Sequence, residues 1–159
     1  PSQLNERQRQ AFDIVKEHHD ADDGGALRIL VLGTAGTGKS WLVYALSNLL
    51  DDHVRRAAPI GMATFLIGGS TFHNILYLPV RGGKDLQSDS LKQLEARLAG
   101  VKYIIIDELS MVSQVQMTWI DRRLRQATGK TAEPLGEMSM IMKGDFGQLP
   151  PVYDRPLYT

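Results

Sequence analysis

RILVLGTAGTGKSWLVYALSNLL (28–50) is the stretch on which the fold turns. Its opening, RILVLG (28–33), is a short apolar run ending in glycine, which predicts a buried strand. Its close, 38–50, predicts a helix with Trp41, Leu42, Ala45, Leu46 and Leu49 on one side. Between them GTAGTGKS (33–40) has the G-x-x-x-x-G-K-[ST] spacing of a phosphate-cradling loop. Gly33, Gly36 and Gly38 let the backbone curl, so that successive N–H groups, those of Thr34, Ala35 and Thr37 among them, point inward at an anion. The helix beginning near Lys39 adds the positive end of its dipole. Lys39 can reach β- and γ-phosphates, and the Ser40 hydroxyl can ligate Mg²⁺. A glycine-rich turn with a surface lysine is the bland alternative, and the strand before and helix after argue against it.

Working outward, residues 5–19 predict a helix with Asn5 as N-cap and Ala11, Phe12, Val15 and His19 near one face. The acidic DADDGG (20–25) ends it. A second strand is expected within 57–63, despite Pro59 and Gly61. GGSTFHNIL (68–76) reads as a turn into a short helix, and RGGKDLQSDS (81–90) as the most loop-like and mobile segment. Leu91, Leu94 and Leu98 mark a helix closed by Gly100. KYIIIDE (102–108) predicts a third strand, Ser113 and Gln116 a capping box for a helix reaching about Thr128, and MSMIMKGD (138–145) a fourth strand. Helices and strands thus alternate, the pattern of an α/β domain with a parallel sheet covered by helices on both faces. Ligands of such sheets bind outside the carboxyl ends of the strands. Gly33, Asp107 and Asp145 all fall at or just past a predicted strand end.

Composition bounds the rest. A chain of 159 residues fits one compact domain, residues 1–159, and its 43% hydrophobic and 23% charged content is ordinary for a globular protein. Eighteen Lys and Arg balance eighteen Asp and Glu, so no basic excess announces a nucleic acid, although neutral donors and backbone N–H groups also hold phosphate. The absence of cysteine excludes disulfides and thiolate metal sites. No apolar run approaches the ~18 residues of a membrane span, and PSQLNERQRQ (1–10) lacks the apolar core of a signal peptide. An intracellular protein with no membrane partner is expected.

Two further segments carry chemistry. Asp107, ending a buried strand, can hold Mg²⁺ through its hydration shell, and Glu108 beside it can orient or deprotonate an attacking water. An isolated IIIDE would read equally well as the start of a solvated loop; next to a phosphate loop the catalytic reading prevails. In KGDFGQLPPV (143–152), Gln148 can bond a γ-phosphate oxygen or the attacking water, and Pro150 and Pro151 stiffen the exit. In LNERQ (4–8), Asn5 and Gln8 have capping-box spacing, while the Gln8 amide can also donate to and accept from an adenine edge; spacing alone favours the cap. His18, His19 and His53 have no partner pattern and read as surface groups.

Together these segments resemble the Pif-type (petite-integration-frequency) superfamily 1 DNA helicases, close to the RecD-like branch. LNERQRQAF (4–12) is similar to the Q motif, GTAGTGKS to motif I and APIGMATFLIGGSTFHNIL (58–76) to motif Ia. IIIDELSMVS (104–113) resembles motif II, PLGE (134–137) the loop before the fourth strand, and GDFGQLPPV (144–152) motif III. The resemblance implies a RecA-like domain that binds ATP and Mg²⁺ and serves 5′-to-3′ DNA unwinding, and it tips Gln8 toward adenine. It also implies single-stranded DNA contacts in motif Ia, at Phe65, Gly69, Thr71 and His73; a turn that simply packs Phe72 and Ile75 into the core is the structural alternative, and the two are compatible. Ile60, Thr64 and Glu137 depart from the family's small polar residue, alanine and glycine. The chain stops soon after motif III, so the second RecA-like domain and its arginine finger are missing from it, and alone it is expected to be nearly inactive. Nucleus or mitochondrion is implied for a eukaryotic source and cytoplasm otherwise; oligomeric state is left open. Two alternatives stay open: another phosphate-loop ATPase motor, and a non-catalytic nucleotide-dependent DNA-binding module.

Overall fold

A computed structural model describes residues 4–33, 38–59, 70–79, 82–145, 147 and 155–157. Five parallel strands, β1 (Arg28–Leu32), β2 (Val54–Ala58), β3 (Ser70–Thr71), β4 (Tyr103–Ile106) and β5 (Ser139–Gly144), lie in the order β1-β5-β4-β2-β3. The helices are α1 (Glu6–Ala21), α2 (Lys39–Leu50), α3 (Phe72–Leu76), α4 (Ser88–Arg97) and α5 (Gln114–Thr128).

The alternation of side chains along each strand splits the core into two layers. Ile104, Ile106 and Met140 pack with Phe72, Leu76, Leu94, Ile120 and Leu124 from α3, α4 and α5. Tyr103, Ile105 and Ile141 pack with Val15, Leu42, Val43, Leu46 and Leu50 from α1 and α2 on the other face. The helices start where their caps dictate. Asn5 and Gln8 form a reciprocal capping box at α1, and Ser113 and Gln116 form another at α5. Asp22 and Gly129, both left-handed, stop those helices.

Several expectations need correction. β2 begins at Val54 and ends at Ala58, upstream of most of the predicted span. Pro59 has no N–H for the ladder, so the strand stops before it. Arg55 and Arg56 mask its start in the sequence; they are accommodated because only Ala57 and Ala58 pair with β3. Trp41 is 57% exposed and meets Tyr44 edge-on, because the inward stripe of α2 is Leu42, Val43, Leu46 and Leu50. Leu30 and Leu32 of the edge strand β1 remain 48% and 53% exposed.

Of the span 81–90 read as loop, Ser88–Ser90 instead open α4, and residues 82–87 have no regular structure, as expected, but are pinned. Arg123, buried, donates from Nη2 to the Lys84 carbonyl at 3.1 Å and from Nε to that of Tyr77 at 3.3 Å. Gln126 exchanges two hydrogen bonds with the Leu86 backbone. Among the described residues no helix is long and apolar enough to cross a membrane.

Candidate active site

All five strands run the same way, so their exits share one edge. The register sets Leu32 level with Gly144 and Ile106 level with Met142; one step further, Gly33 lies level with Asp145 and Asp107 with Lys143. The phosphate-loop glycine and the two strand-end acids are thereby brought together, as their sequence positions predict.

Asp107 is 3% exposed. Its N–H extends the ladder to the Ala57 carbonyl at 2.9 Å. Its Oδ1 accepts from the Glu108 N–H at 2.8 Å and from Lys143 Nζ at 3.0 Å. Glu108 takes a left-handed conformation (φ 53°), which turns the chain sharply out of β4 into the 3₁₀ turn Leu109–Met111. Such backbone positions are costly for non-glycine residues and concentrate at functional sites. That turn rests on Gly144: a β-carbon there would lie 2.9 Å from Leu109 Cβ and 3.0 Å from Leu109 N.

The chain leaves β5 at Asp145, whose Oδ1 accepts from the Gly147 N–H at 2.9 Å. It returns at residues 155–157 onto the start of α5, where Gln114 N donates to the Arg155 carbonyl and Gln114 Nε2 to that of Pro156, each at 2.9 Å. Residues 155 and 156 are thereby fastened to the start of α5, the helix that follows the Asp107–Glu108 exit.

On the α1 side Gln8 is buried. Its Oε1 accepts from the Asn5 N–H and its own N–H donates to Asn5 Oδ1, each at 2.9 Å. The predicted cap is thus present. The amide also reaches the far end of the phosphate loop, since a β-carbon on Gly38 (φ 76°) would lie 2.7 Å from Gln8 Nε2. Asn5, Arg7, Gln8, Val31, Leu32, Gly33 and Leu42 line a cleft of about 270 Å³ beside that loop. Lys39 is the first residue of α2 and Ser40, exposed, stands in its first turn.

Thr71 ends β3 on the same edge and caps α3, its Oγ1 accepting from Asn74 N at 3.4 Å, and His73 is half-buried beside it. Phe72 and Ile75 pack into the core, as the purely structural reading of this turn expects. The predicted site residues Thr34, Ala35, Gly36, Thr37, Phe65, Gly69 and Gln148 lie outside the described residues, as do Ile60 and Thr64. Glu137, where the family favours glycine, has φ 60°, a left-handed backbone suited to glycine, and its carboxylate pairs with Lys130.

Sequence reasoning missed Lys143. A lysine closing the apolar run MSMIM was the available signal, since a lysine on a buried strand needs an opposite charge. It also misread the histidines. His18 Nε2 donates to the Gly25 carbonyl at 2.8 Å, so in the neutral ring Nδ1 accepts from the Tyr103 hydroxyl. His53 Nδ1 donates to the Gly100 carbonyl at 3.0 Å, and its ring lies 5.6 Å from that of His19. These contacts close the opposite edge of the sheet and join residues far apart in sequence, beyond the reach of local spacing.

The donor set fits Mg²⁺: a buried carboxylate and a helix-start hydroxyl are hard oxygen ligands of the kind this ion shares with nucleotide phosphates. Among the described residues no three His, Cys, Asp or Glu side chains converge as a protein-only cage.

Residues 3–157 match the model of the PIF1-like helicase family. The ATP-dependent DNA helicase Pif1 of Bdellovibrio bacteriovorus is 34% identical over 155 residues, which are 94% of this chain and 33% of that protein. A crystal structure of Bacteroides Pif1 bound to ssDNA superposes with a TM-score of 0.76 at 29% identity, covering 95% of this chain and 34% of that one. The same enzyme in complex with ADP-AlF4 gives 0.76 at 28% identity, with 95% and 34% covered. The chain thus spans about a third of the length of these relatives.

Proposed function

The chain belongs to the PIF1-like helicase family, and on that footing we propose that it is the first RecA-like domain, the ATP-holding part, of a 5′-to-3′ DNA helicase motor. One observation carries the reading: the start of α2 after the phosphate loop, Gln8 against that loop's end, and the Asp107–Glu108 exit all meet at one sheet edge.

In this reading the backbone of 33–40 holds the phosphates, Lys39 meets the β- and γ-phosphates, and Gln8 meets the adenine. The capping box with Asn5 holds Gln8 in place, and its amide would donate to and accept from the adenine edge. Ser40 and Asp107 would hold Mg²⁺, which when bound neutralises charge on the phosphates. Glu108 takes the proton of the attacking water as its oxygen joins the γ-phosphorus and ADP leaves. Gln148 reads the γ-phosphate. Thr71 and His73, which stand on the same edge, touch single-stranded DNA, as do Phe65 and Gly69. A second RecA-like domain outside this chain supplies the other wall of the cleft and its arginine finger, a group worth roughly 10³–10⁵ in turnover.

The test is Glu108→Gln in a longer chain that carries both motor domains. The amide keeps the size and removes the proton acceptor, so Mg²⁺–ATP binding should persist while steady-state hydrolysis falls by about 10²–10⁴. Near-normal turnover would reject Glu108 as the base.

A further inference from the structure

Lys143 has no part in the chemistry just described, yet it stands at its centre. It is the penultimate residue of β5, paired in register with Val31 of β1 on one side and level with Asp107, just past the end of β4, on the other. Val31 leads directly into the phosphate loop. The lysine is 7% exposed, and its Nζ lies 3.0 Å from Asp107 Oδ1. Lysine is almost never buried unless paired, and the partner here is the carboxylate assigned to the metal.

We propose that Lys143 is a resident counterion that competes with Mg²⁺ for Asp107 and so makes metal uptake conditional on nucleotide. The inference rests on the reading of Asp107 as the metal-holding carboxylate. Without Lys143, Asp107 would be a buried, unpaired negative charge and would hold a divalent cation by itself. With Lys143 beside it the pair is formally neutral, and a hydrated cation arriving alone meets a positive neighbour. A metal arriving on a nucleotide's phosphates belongs to a complex of net negative charge, which the same ammonium attracts. Lys143 therefore discriminates the metal–nucleotide complex from the free ion, from a position between the two strands that carry Gly33 and Asp107.

The experiment titrates Mn²⁺ without nucleotide, followed by its electron paramagnetic resonance signal, into this chain, Lys143→Met and the double variant Asp107→Asn/Lys143→Met. Methionine keeps the unbranched length and removes the charge; the double variant leaves no unpaired buried charge. Lys143→Met should bind free Mn²⁺ roughly tenfold or more tightly than the parent, since a unit charge a few ångströms from a divalent ion is worth at least that. The double variant should lose the gain. If Lys143→Met folds only when Mn²⁺ is added, the metal has taken the ammonium's place, and the proposal stands. Unchanged or weaker Mn²⁺ binding, a gain that survives in the double variant, or a Lys143→Met chain that no Mn²⁺ concentration folds would each overturn it. ADP titrated in the presence of a chelator separates the two failures. Loss of ADP binding in the parent chain removes the nucleotide-site reading, whereas normal ADP binding with unchanged Mn²⁺ affinity removes the counterion alone.

Discussion

Gly144 is fixed by contact: Leu109 Cβ and N would meet its β-carbon at 2.9 and 3.0 Å. Leu109 belongs to the turn that aims Glu108, so the smallest side chain at 144 must push that turn off the sheet. Gly144→Ala is expected to destabilise the chain by about 1–3 kcal/mol, the usual cost of forcing an extra carbon into a packed site. A denaturant midpoint unchanged in Gly144→Ala would show that the turn yields freely. At this scale the places of Gly33 and Asp107 just past strand ends and of Gly38 at the start of a helix are legible in the sequence, because element ends are marked by neighbours along the chain. Lys143 and its hold on Asp107 are not, since the pair forms laterally between β4 and β5 and needs the strand order to be seen.

Elements with local signals were read closely. Both capping boxes, at Asn5–Gln8 and Ser113–Gln116, stand as their spacing predicts, because a cap is a contact across three residues. β2 was placed too late, its arginines and Pro59 hiding a strand stabilised chiefly by β4. The 81–90 segment reads as loop-like and mobile because its composition is polar, whereas the order of residues 82–87 comes from Arg123 and Gln126 on α5. Arg123 also lies against the Trp119 ring, 4.8 Å from its centroid. Arg123→Leu leaves the Tyr77 and Lys84 carbonyls without their charged donor, and a loss of roughly 2–4 kcal/mol is expected, since hydrogen bonds to charged groups are worth more than neutral ones. Hydrogen exchange at 82–87 should rise in parallel. Protection as strong as in the parent would mean that other contacts hold the segment.

Over the whole molecule, parallel order sends every exit to one edge and leaves the other to the His18–Tyr103 pair. Burial, reinforced by Asp22 and Asp23, pushes the Tyr103 hydroxyl up to about 12 from its ordinary value of 10.0. The folded pKa is raised, so its contribution to stability is complete below pH 10.0 and is lost as pH climbs toward about 12, where only the unfolded chain ionises at first. Tyr103→Phe should lack this part of the alkaline decline; identical pH profiles would remove Tyr103 from it. At the opposite edge the exits of β1, β4 and β5 form the proposed nucleotide site. Its most direct test is a calorimetric titration of ADP with Mg²⁺ into this chain and into Lys39→Ala. Saturable one-to-one binding in the parent, weakened several-fold or more in a Lys39→Ala chain of unchanged fold, is the expected result. Equal affinity in the two chains would place the nucleotide elsewhere and contradict the account.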